Sequence, residues 1–209
     1  GVRLRLHRCV DGALGRLSFY FSNSLVKQLD IHIVAHSLHV PVLLLSQHVA
    51  RPADFQILHC YFETAAQLPG AEYLAKLRYL ILPIREADAV PQPLRCKTLL
   101  ELPRAAFGTV EPDTMRRLAA LEGSGFAGVV ANNLAQFRYA SPLPVFGGLG
   151  LNVTNPMSAA EYVCLGARGL LVQPETALTA MRAVAPRQKD GTPVPTAALC
   201  YGHLPLMLT

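Results

Sequence analysis

The clearest pattern lies in the second half of the chain, where short apolar runs alternate with segments of helical periodicity. Each run has four or five apolar residues, stops at Gly, Asn or Pro and leads into an amphipathic segment, which is the pattern of a βα unit. Strands are predicted to start near residues 98, 128, 144, 169 and 197, and Tyr79 to Ile84 reads as one more buried strand. Because helical crossovers force neighbouring strands to run parallel, the pattern predicts an α/β fold.

The number of units decides between two architectures of this class. An eight-unit barrel takes about 250 residues, and the 209 residues of this chain supply five or six predicted units. We therefore expect a partial (β/α) barrel-like parallel sheet, with an open doubly wound sheet as the alternative. Such a partial barrel would leave sheet edges exposed, so we also expect self-association through those edges.

The first third of the chain follows a different pattern. Apolar and basic residues alternate on both sides of Asp11-Gly12, which favours a β-hairpin within residues 1–22. Residues 30–62 have no clean period. We therefore divide the chain into an N-terminal segment of uncertain fold, 1–75, and a barrel domain of catalytic type, 76–209.

Composition narrows the class of protein. Apolar residues make up 51% of the chain and charged residues 16%, which suits strands that are buried on both faces. The net charge of +5 permits RNA binding, but the basic residues are scattered and a solvated basic surface explains them better. The long apolar window Ile31–Ala50 contains four histidines and a proline, so we reject it as a membrane span.

The cysteines and histidines indicate a reducing compartment and no metal centre. The five cysteines are dispersed and lack a C-x-x-C pair, which favours a cytoplasmic protein and provides no local metal site. His32, His36 and His39 have the spacing of one helix face, but Pro41 and the missing H-E-x-x-H glutamate favour a polar stripe over a metal site. We expect neither a metal nor a cofactor in this chain.

Polar residues that follow predicted strands are the best site candidates. In a parallel barrel the carboxyl ends of all strands meet at one rim, where active sites form. Glu175 and His203 are the candidate proton-transfer groups, and Arg104, Asn133 and Asn152 are the candidate substrate-binding residues. Turn and cap roles are the competing interpretation for each residue taken alone. Nucleophile signatures such as G-x-S-x-G are absent from the sequence.

Several of these residues belong to longer motifs that carry a family resemblance. They read L-N-V-T-N at 151–155, Q-P-E at 173–175, Y-G-H-L-P-L-M-L-T at 201–209, E-L-P-R at 101–104 and N-L-A-Q at 133–136. In this order they resemble the collagenase-like peptidases, peptidase family U32, over roughly residues 98–209. The resemblance implies a barrel-like catalytic domain that acts on a protein substrate. Where family members usually carry an acidic residue, this chain has Gly148.

The resemblance leaves a second chemistry and a third class of function open. Other members of the family resemble oxygen-independent hydroxylases of rRNA or tRNA bases, which use an iron–sulfur cluster. For this chemistry we expect the cluster cysteines beyond Thr209. Under either chemistry we expect this chain to be a C-terminally truncated, inactive fragment of a longer parent protein. A non-catalytic RNA-binding scaffold is the remaining alternative, favoured only by the positive charge.

Overall fold

The computed structural model describes residues 4–11, 14–21, 42–47, 57–139 and 143–201. Ten strands lie in these segments: β1 Leu4–Asp11, β2 Leu14–Phe21, β3 Val42–Gln47, β4 Ile57–Tyr61, β5 Tyr79–Pro83, β6 Thr98–Glu101, β7 Gly128–Ala131, β8 Val145–Gly147, β9 Ala167–Val172 and β10 Thr196–Tyr201. The α-helices are α1 Ala71–Lys76, α2 Gln92–Arg95, α3 Val110–Ala120, α4 Gln136–Tyr139, α5 Pro156–Cys164 and α6 Leu178–Ala183. Short 3₁₀ helices cover Ala65–Gln67, Ile84–Ala89 and Leu149–Leu151.

Eight of the strands form a closed ring in the order β10-β3-β4-β5-β6-β7-β8-β9. The seven strands from β4 to β10 run parallel to one another, and each pairs with its neighbour in the chain. β3 closes the ring by pairing antiparallel with both β4 and β10. β1 and β2 pair with each other in a separate antiparallel two-stranded sheet.

Successive side chains along each strand point alternately to the helices outside the barrel and to the barrel interior, and both sides are apolar. Leu80, Leu82 and Leu100 belong to the larger cluster, which includes residues from the surrounding helices. Ile81 and Leu99 belong instead to the cluster of the barrel interior. Strands with both faces buried need apolar residues at nearly every position, which explains the continuous apolar runs in the sequence.

The amino-terminal half of the barrel interior is built around Phe146 on β8. Its ring meets Tyr79 edge-on with the ring centroids 5.5 Å apart, and Tyr79 meets His59 in the same way at 5.2 Å. The neighbouring strands carry Gly128 and Gly169 beside the Phe146 ring, and a Cβ on either residue would lie within 3.0 Å of that ring. Glycine on both flanking strands therefore makes room for the phenyl group.

The structure confirms the predicted α/β class and the barrel-like parallel sheet with helices. The structure contains one parallel strand, β4, in addition to the six predicted. The eighth strand of the ring, β3, is antiparallel to both of its neighbours. Both of these strands, β3 and β4, precede residue 76, so the barrel begins earlier than the predicted boundary of 76–209. All eight strands of the ring have two hydrogen-bonded neighbours, so the edges expected to drive self-association are not found within this ring. Self-association itself stays a prediction.

The length and polarity of the helices decide whether any of them could span a membrane. Every helix in the described part of the chain is too short or too polar to cross a bilayer. The rejected window Ile31–Ala50 and the histidines at 32, 36 and 39 fall largely or wholly outside the described residues.

Gly128→Ala should destabilise the barrel. A Cβ at this position would lie 2.4 Å from the Pro144 carbonyl oxygen, and that oxygen is held by a 2.9 Å hydrogen bond from the Val129 N–H. Backbone must therefore move, and we expect a loss of about 2 kcal/mol in the free energy of unfolding, measured by urea denaturation. Gly70→Ser is the control, because Gly70 has open space around it and caps α1. A Gly128→Ala variant as stable as this control would contradict the packing described here.

His59 should make the stability depend on pH. Burial, together with the positive charge of Arg78, lowers the pKa of His59 from 6.5 to about 4. Between these values the unfolded chain binds a proton that the folded chain does not. The free energy of unfolding should therefore fall as the pH is lowered from about 6.5 to 4, by up to about 3 kcal/mol from this residue.

The comparison with His59→Gln isolates that contribution from the other titrating groups. Urea denaturation of both proteins across this pH range should give a shallower pH dependence for the variant. Parallel profiles would show that His59 takes up its proton equally well in the folded and unfolded states.

Candidate active site at the carboxyl ends of the strands

Glu101 places a carboxylate at the carboxyl end of the barrel. It is the last residue of β6 and lies in register between Pro83 of β5 and Val130 of β7. Leu99, two residues earlier on the same strand, belongs to the interior cluster, so the alternation of the strand places Glu101 toward the interior as well. The side chain is half-buried, which leaves the carboxylate accessible to a small molecule at the barrel mouth.

Asn132 fixes the orientation of this carboxylate. Its Nδ2 donates to Glu101 Oε1 at 3.1 Å and to the Leu102 carbonyl oxygen at 2.9 Å. Its Oδ1 accepts a hydrogen bond from the Gly150 N–H at 3.1 Å. The residue is buried, with 2% of its surface exposed. Only one of the two orientations of the amide gives both N–H groups an acceptor and the oxygen a donor. The side chain is therefore held rigidly.

Gln136 fixes the backbone at Asn132 through hydrogen bonds. Its Oε1 accepts from the backbone N–H groups of Asn132 at 2.6 Å and Asn133 at 3.2 Å, and its Nε2 donates to the Pro103 carbonyl at 2.7 Å. Gln136 is fully buried. The buried Gln136 amide therefore provides hydrogen-bond partners for backbone groups after β6 and β7 that the strands leave unpaired.

Gly148 and Gly150 let the loop after β8 approach Asn132 closely. A Cβ at Gly148 would lie 2.4 Å from Asn132 Oδ1, and one at Gly150 would lie 2.2 Å from the Asn132 carbonyl oxygen. Position 148 is where the resemblance leads one to expect an acidic residue. In this chain Asn132 Oδ1 takes up the space beside that position, so a side chain there is sterically excluded.

Tyr61 completes the group from the end of β4, which is separated from β6 in the ring only by β5. Burial raises the pKa of the Tyr61 phenol, and the charge of Glu101 and the hydrogen bond between the two side chains raise it further, against a smaller opposing effect of Arg85. The phenol is therefore protonated at neutral pH and donates to the carboxylate. Tyr61, Glu101 and Asn132 form the candidate site, a carboxylate held between a phenol and an amide.

This arrangement suits proton transfer. A half-buried carboxylate with two fixed hydrogen-bond donors can take a proton from a water or substrate hydroxyl and return it later. The phenol can also stabilise negative charge that develops beside the carboxylate once that carboxylate is protonated.

The predicted site residues lie around this group without joining it. Arg104, Asn133, Asn152 and Glu175 follow β6, β7, β8 and β9, so all four are at the carboxyl end of the parallel strands. No hydrogen bond or ion pair in the described segments links any two of them. Their convergence into one binding site therefore stays a prediction, and His203 lies outside the described residues.

Two of these residues have identifiable local partners. Asn133 Oδ1 accepts from the Gln136 N–H at 3.2 Å, which is a turn and cap role. Asn152 has the left-handed backbone conformation and is exposed, and its Oδ1 accepts from Gln173 Nε2 at 3.1 Å. Glu175 is exposed and Arg104 is half-buried in its loop, so both side chains are open to a ligand.

Three cysteines, Cys60, Cys96 and Cys164, lie away from the site. Cys60 packs in the outer core, and burial raises its pKa to about 12. Cys96 and Cys164 are exposed at the ends of α2 and α5. Within the described segments, no three His, Cys, Asp or Glu side chains lie close enough to hold a metal ion.

Sequence reasoning missed Tyr61 and noted Glu101 only within the E-L-P-R motif. Asn132 is one of the polar residues that follow predicted strands, but it was not among the chosen site residues. Tyr61 lies at the end of the stretch 30–62, which has no clean period. Glu101 had a signal, because it is a charged residue directly after three apolar residues of a strand. Asn132 had one as well, because it continues the interior alternation of Val130.

Comparison with known proteins provides little further information. Searches of family models and of curated proteins find no match. Among solved structures, the U32 peptidase Mk0906 is similar at a TM-score of 0.43 and 13% sequence identity, over 61% of this chain and 67% of that one.

Asn132→Ala should cost about 2 to 4 kcal/mol of stability, because it leaves the Leu102 carbonyl and the Gly150 N–H without their partner in a buried place. Asn152→Gly is the matched control. Asn152 is exposed and its φ of 51° is readily adopted by glycine, so its effect should stay below about 1 kcal/mol. Thermal and urea unfolding of both variants measure the difference. Equal losses would show that the Asn132 amide does not hold the loops together.

Proposed function

We propose that this chain is the barrel of an acid–base peptidase similar to the collagenase-like peptidases, with Glu101 as its catalytic carboxylate. One observation carries the proposal: Glu101 lies at the carboxyl end of the barrel, held by Asn132 and Tyr61. Barrel enzymes place their chemistry at this end. The sequence motifs that resemble the peptidase family flank the same end, since E-L-P-R begins with Glu101 itself.

The reaction that these groups fit is attack of water on a peptide carbonyl. Glu101 removes a proton from water while the oxygen bonds to the carbonyl carbon. The Tyr61 O–H then leaves the protonated carboxyl group and donates to the resulting oxyanion. Glu101 then returns the proton to the leaving nitrogen as the C–N bond breaks. Asn132 contacts neither the water nor the peptide in this scheme, and acts by positioning the carboxylate.

Arg104, Asn152 and Glu175 are the proposed substrate contacts around Glu101. They follow β6, β8 and β9 at the same end of the barrel, and their side chains are exposed or half-buried. Arg104 suits a substrate carboxylate, and Asn152 suits a peptide amide. The catalytic roles of Glu175 and His203 and the binding role of Asn133 stay predictions from the sequence.

Water activation fits these residues better than a covalent mechanism does. A cysteine nucleophile needs a lowered pKa and a base beside it, whereas the pKa of Cys60 is raised and the residue lies in the outer core. RNA hydroxylation with an iron–sulfur cluster and RNA binding without catalysis stay predictions, because no observation on the described residues favours either one.

Glu101→Gln should lower kcat for peptide hydrolysis by about 10²- to 10⁴-fold, because the amide cannot accept the proton from water. The change keeps an oxygen for the Asn132 hydrogen bond, so the unfolding midpoint should stay close to that of the parent. Tyr61→Phe should lower kcat less, by about tenfold to a hundredfold. The measurements are steady-state kinetics on gelatin and labelled peptides, made on the full-length protein.

Glu161→Gln is the control for removing a carboxylate, since Glu161 is exposed on α5. Its kcat should equal that of the parent. If hydrolysis occurs and survives Glu101→Gln unchanged, Glu101 is not the base.

A further inference from the structure

A cavity lies in the barrel interior and reaches from the amino-terminal end of the strands to Gly148 after β8. It has a volume of about 390 Å³ and is lined by interior residues of the strands and by the segments that precede β5 and β10. This size is within the range of pockets that hold small organic ligands. Our inference about it does not depend on the proposed function.

The walls of this cavity are apolar and aromatic. Tyr79 and Phe146 present their rings to it, and Ile81, Leu99 and Leu171 line its deeper part. Gly148 and Gly169 also line it, and the space beside them is occupied by Asn132 Oδ1 and by the Phe146 ring. Flat aromatic walls of this kind favour an aromatic ring as the occupant.

The charged groups of the lining have one sign. Arg78 and Arg168 are lining residues, and no aspartate or glutamate is among them. Arg168 is partly engaged, since it donates to Gln188 at 3.2 Å and its charge acts on Asp190. Arg78 lies over the Tyr79 ring, 5.5 Å from its centroid, and none of the described carboxylates is within ion-pair distance of it.

His59 lies beside these groups without adding a charge of its own near neutral pH. Its ring and the Tyr79 ring meet in an edge-to-face arrangement. The positive charge of Arg78 disfavours protonation of His59. The amino-terminal end of the cavity therefore presents one guanidinium without a carboxylate partner among the described residues, directly above an aromatic wall.

We propose that this cavity binds a compact aromatic carboxylate, with its ring against Tyr79 and Phe146 and its carboxylate on Arg78. The guanidinium supplies paired N–H donors for the carboxylate. The apolar walls supply the larger part of the contact area, so neither the ring nor the charge alone should be sufficient for binding.

The test uses benzoate as the probe and the 209-residue chain as the protein. Protein-observed and saturation-transfer NMR should show benzoate binding, with benzyl alcohol, its neutral analogue, binding about tenfold more weakly. Arg78→Gln should weaken benzoate by a similar factor and leave benzyl alcohol unchanged. Arg116→Gln is the control, because Arg116 is exposed on α3 and pairs with Asp113.

A second variant tests the position of the ring. Ala197 lines the cavity, and Ala197→Leu should fill part of it and weaken both probes. If this variant does not fold, the Arg78→Gln comparison alone decides the matter, since Arg78 is exposed. No benzoate binding up to tens of millimolar, equal binding of the two probes, or equal effects of Arg78→Gln and Arg116→Gln would each overturn the proposal.

Discussion

The rest of the carboxyl end of the barrel depends on the side-chain amide of Asn132. Its hydrogen bonds join three consecutive βα units, through Glu101 at the end of β6 and Leu102 after it, its own backbone after β7 and Gly150 after β8. Parallel strands have no tight turns between them, so their ends need such cross-links to keep a fixed spacing. A buried and saturated amide provides the cross-link and positions the Glu101 carboxylate in the same step.

The two ends of the barrel are chemically different. At the carboxyl end, the carboxylate of Glu101 lies between hydrogen-bond donors, as an acid–base group requires. At the amino end, Arg78 and Arg168 lie over aromatic and apolar walls. Gly148 lies between the two ends, because it lines the interior cavity and adjoins Asn132 Oδ1. A side chain at this residue would collide with Asn132 Oδ1 and with Val130.

The α/β class and the parallel strands from β5 to β10 could be predicted, because each is a short apolar run that ends at Gly, Asn or Pro. β4 escaped prediction because its interior positions carry His59 and Tyr61, so its pattern lacks an apolar period. β3 escaped because its place in the ring depends on partners that are distant in sequence, β4 and β10. Closure by an antiparallel strand is a tertiary property that no local pattern encodes.

The candidate site could be predicted only in outline. Strand ends correctly indicated the carboxyl rim, but they could not show which polar side chain turns inward. Asn133 follows Asn132 directly, yet only Asn132 continues the inward alternation of β7, and Asn133 caps a turn instead. Glu101 lies inside a strand rather than after it, so a search among loop residues passes over it.

The central claim is that Glu101 acts directly on water, without a covalent intermediate on the protein. Hydrolysis of a labelled peptide in the presence of hydroxylamine tests it most directly, because an acyl-enzyme would transfer its acyl group to this nucleophile. Direct attack by water predicts the free carboxylic acid as the only acyl product and no initial burst of the released amine. Formation of the hydroxamate together with a burst would contradict it and would direct the search to a side-chain nucleophile.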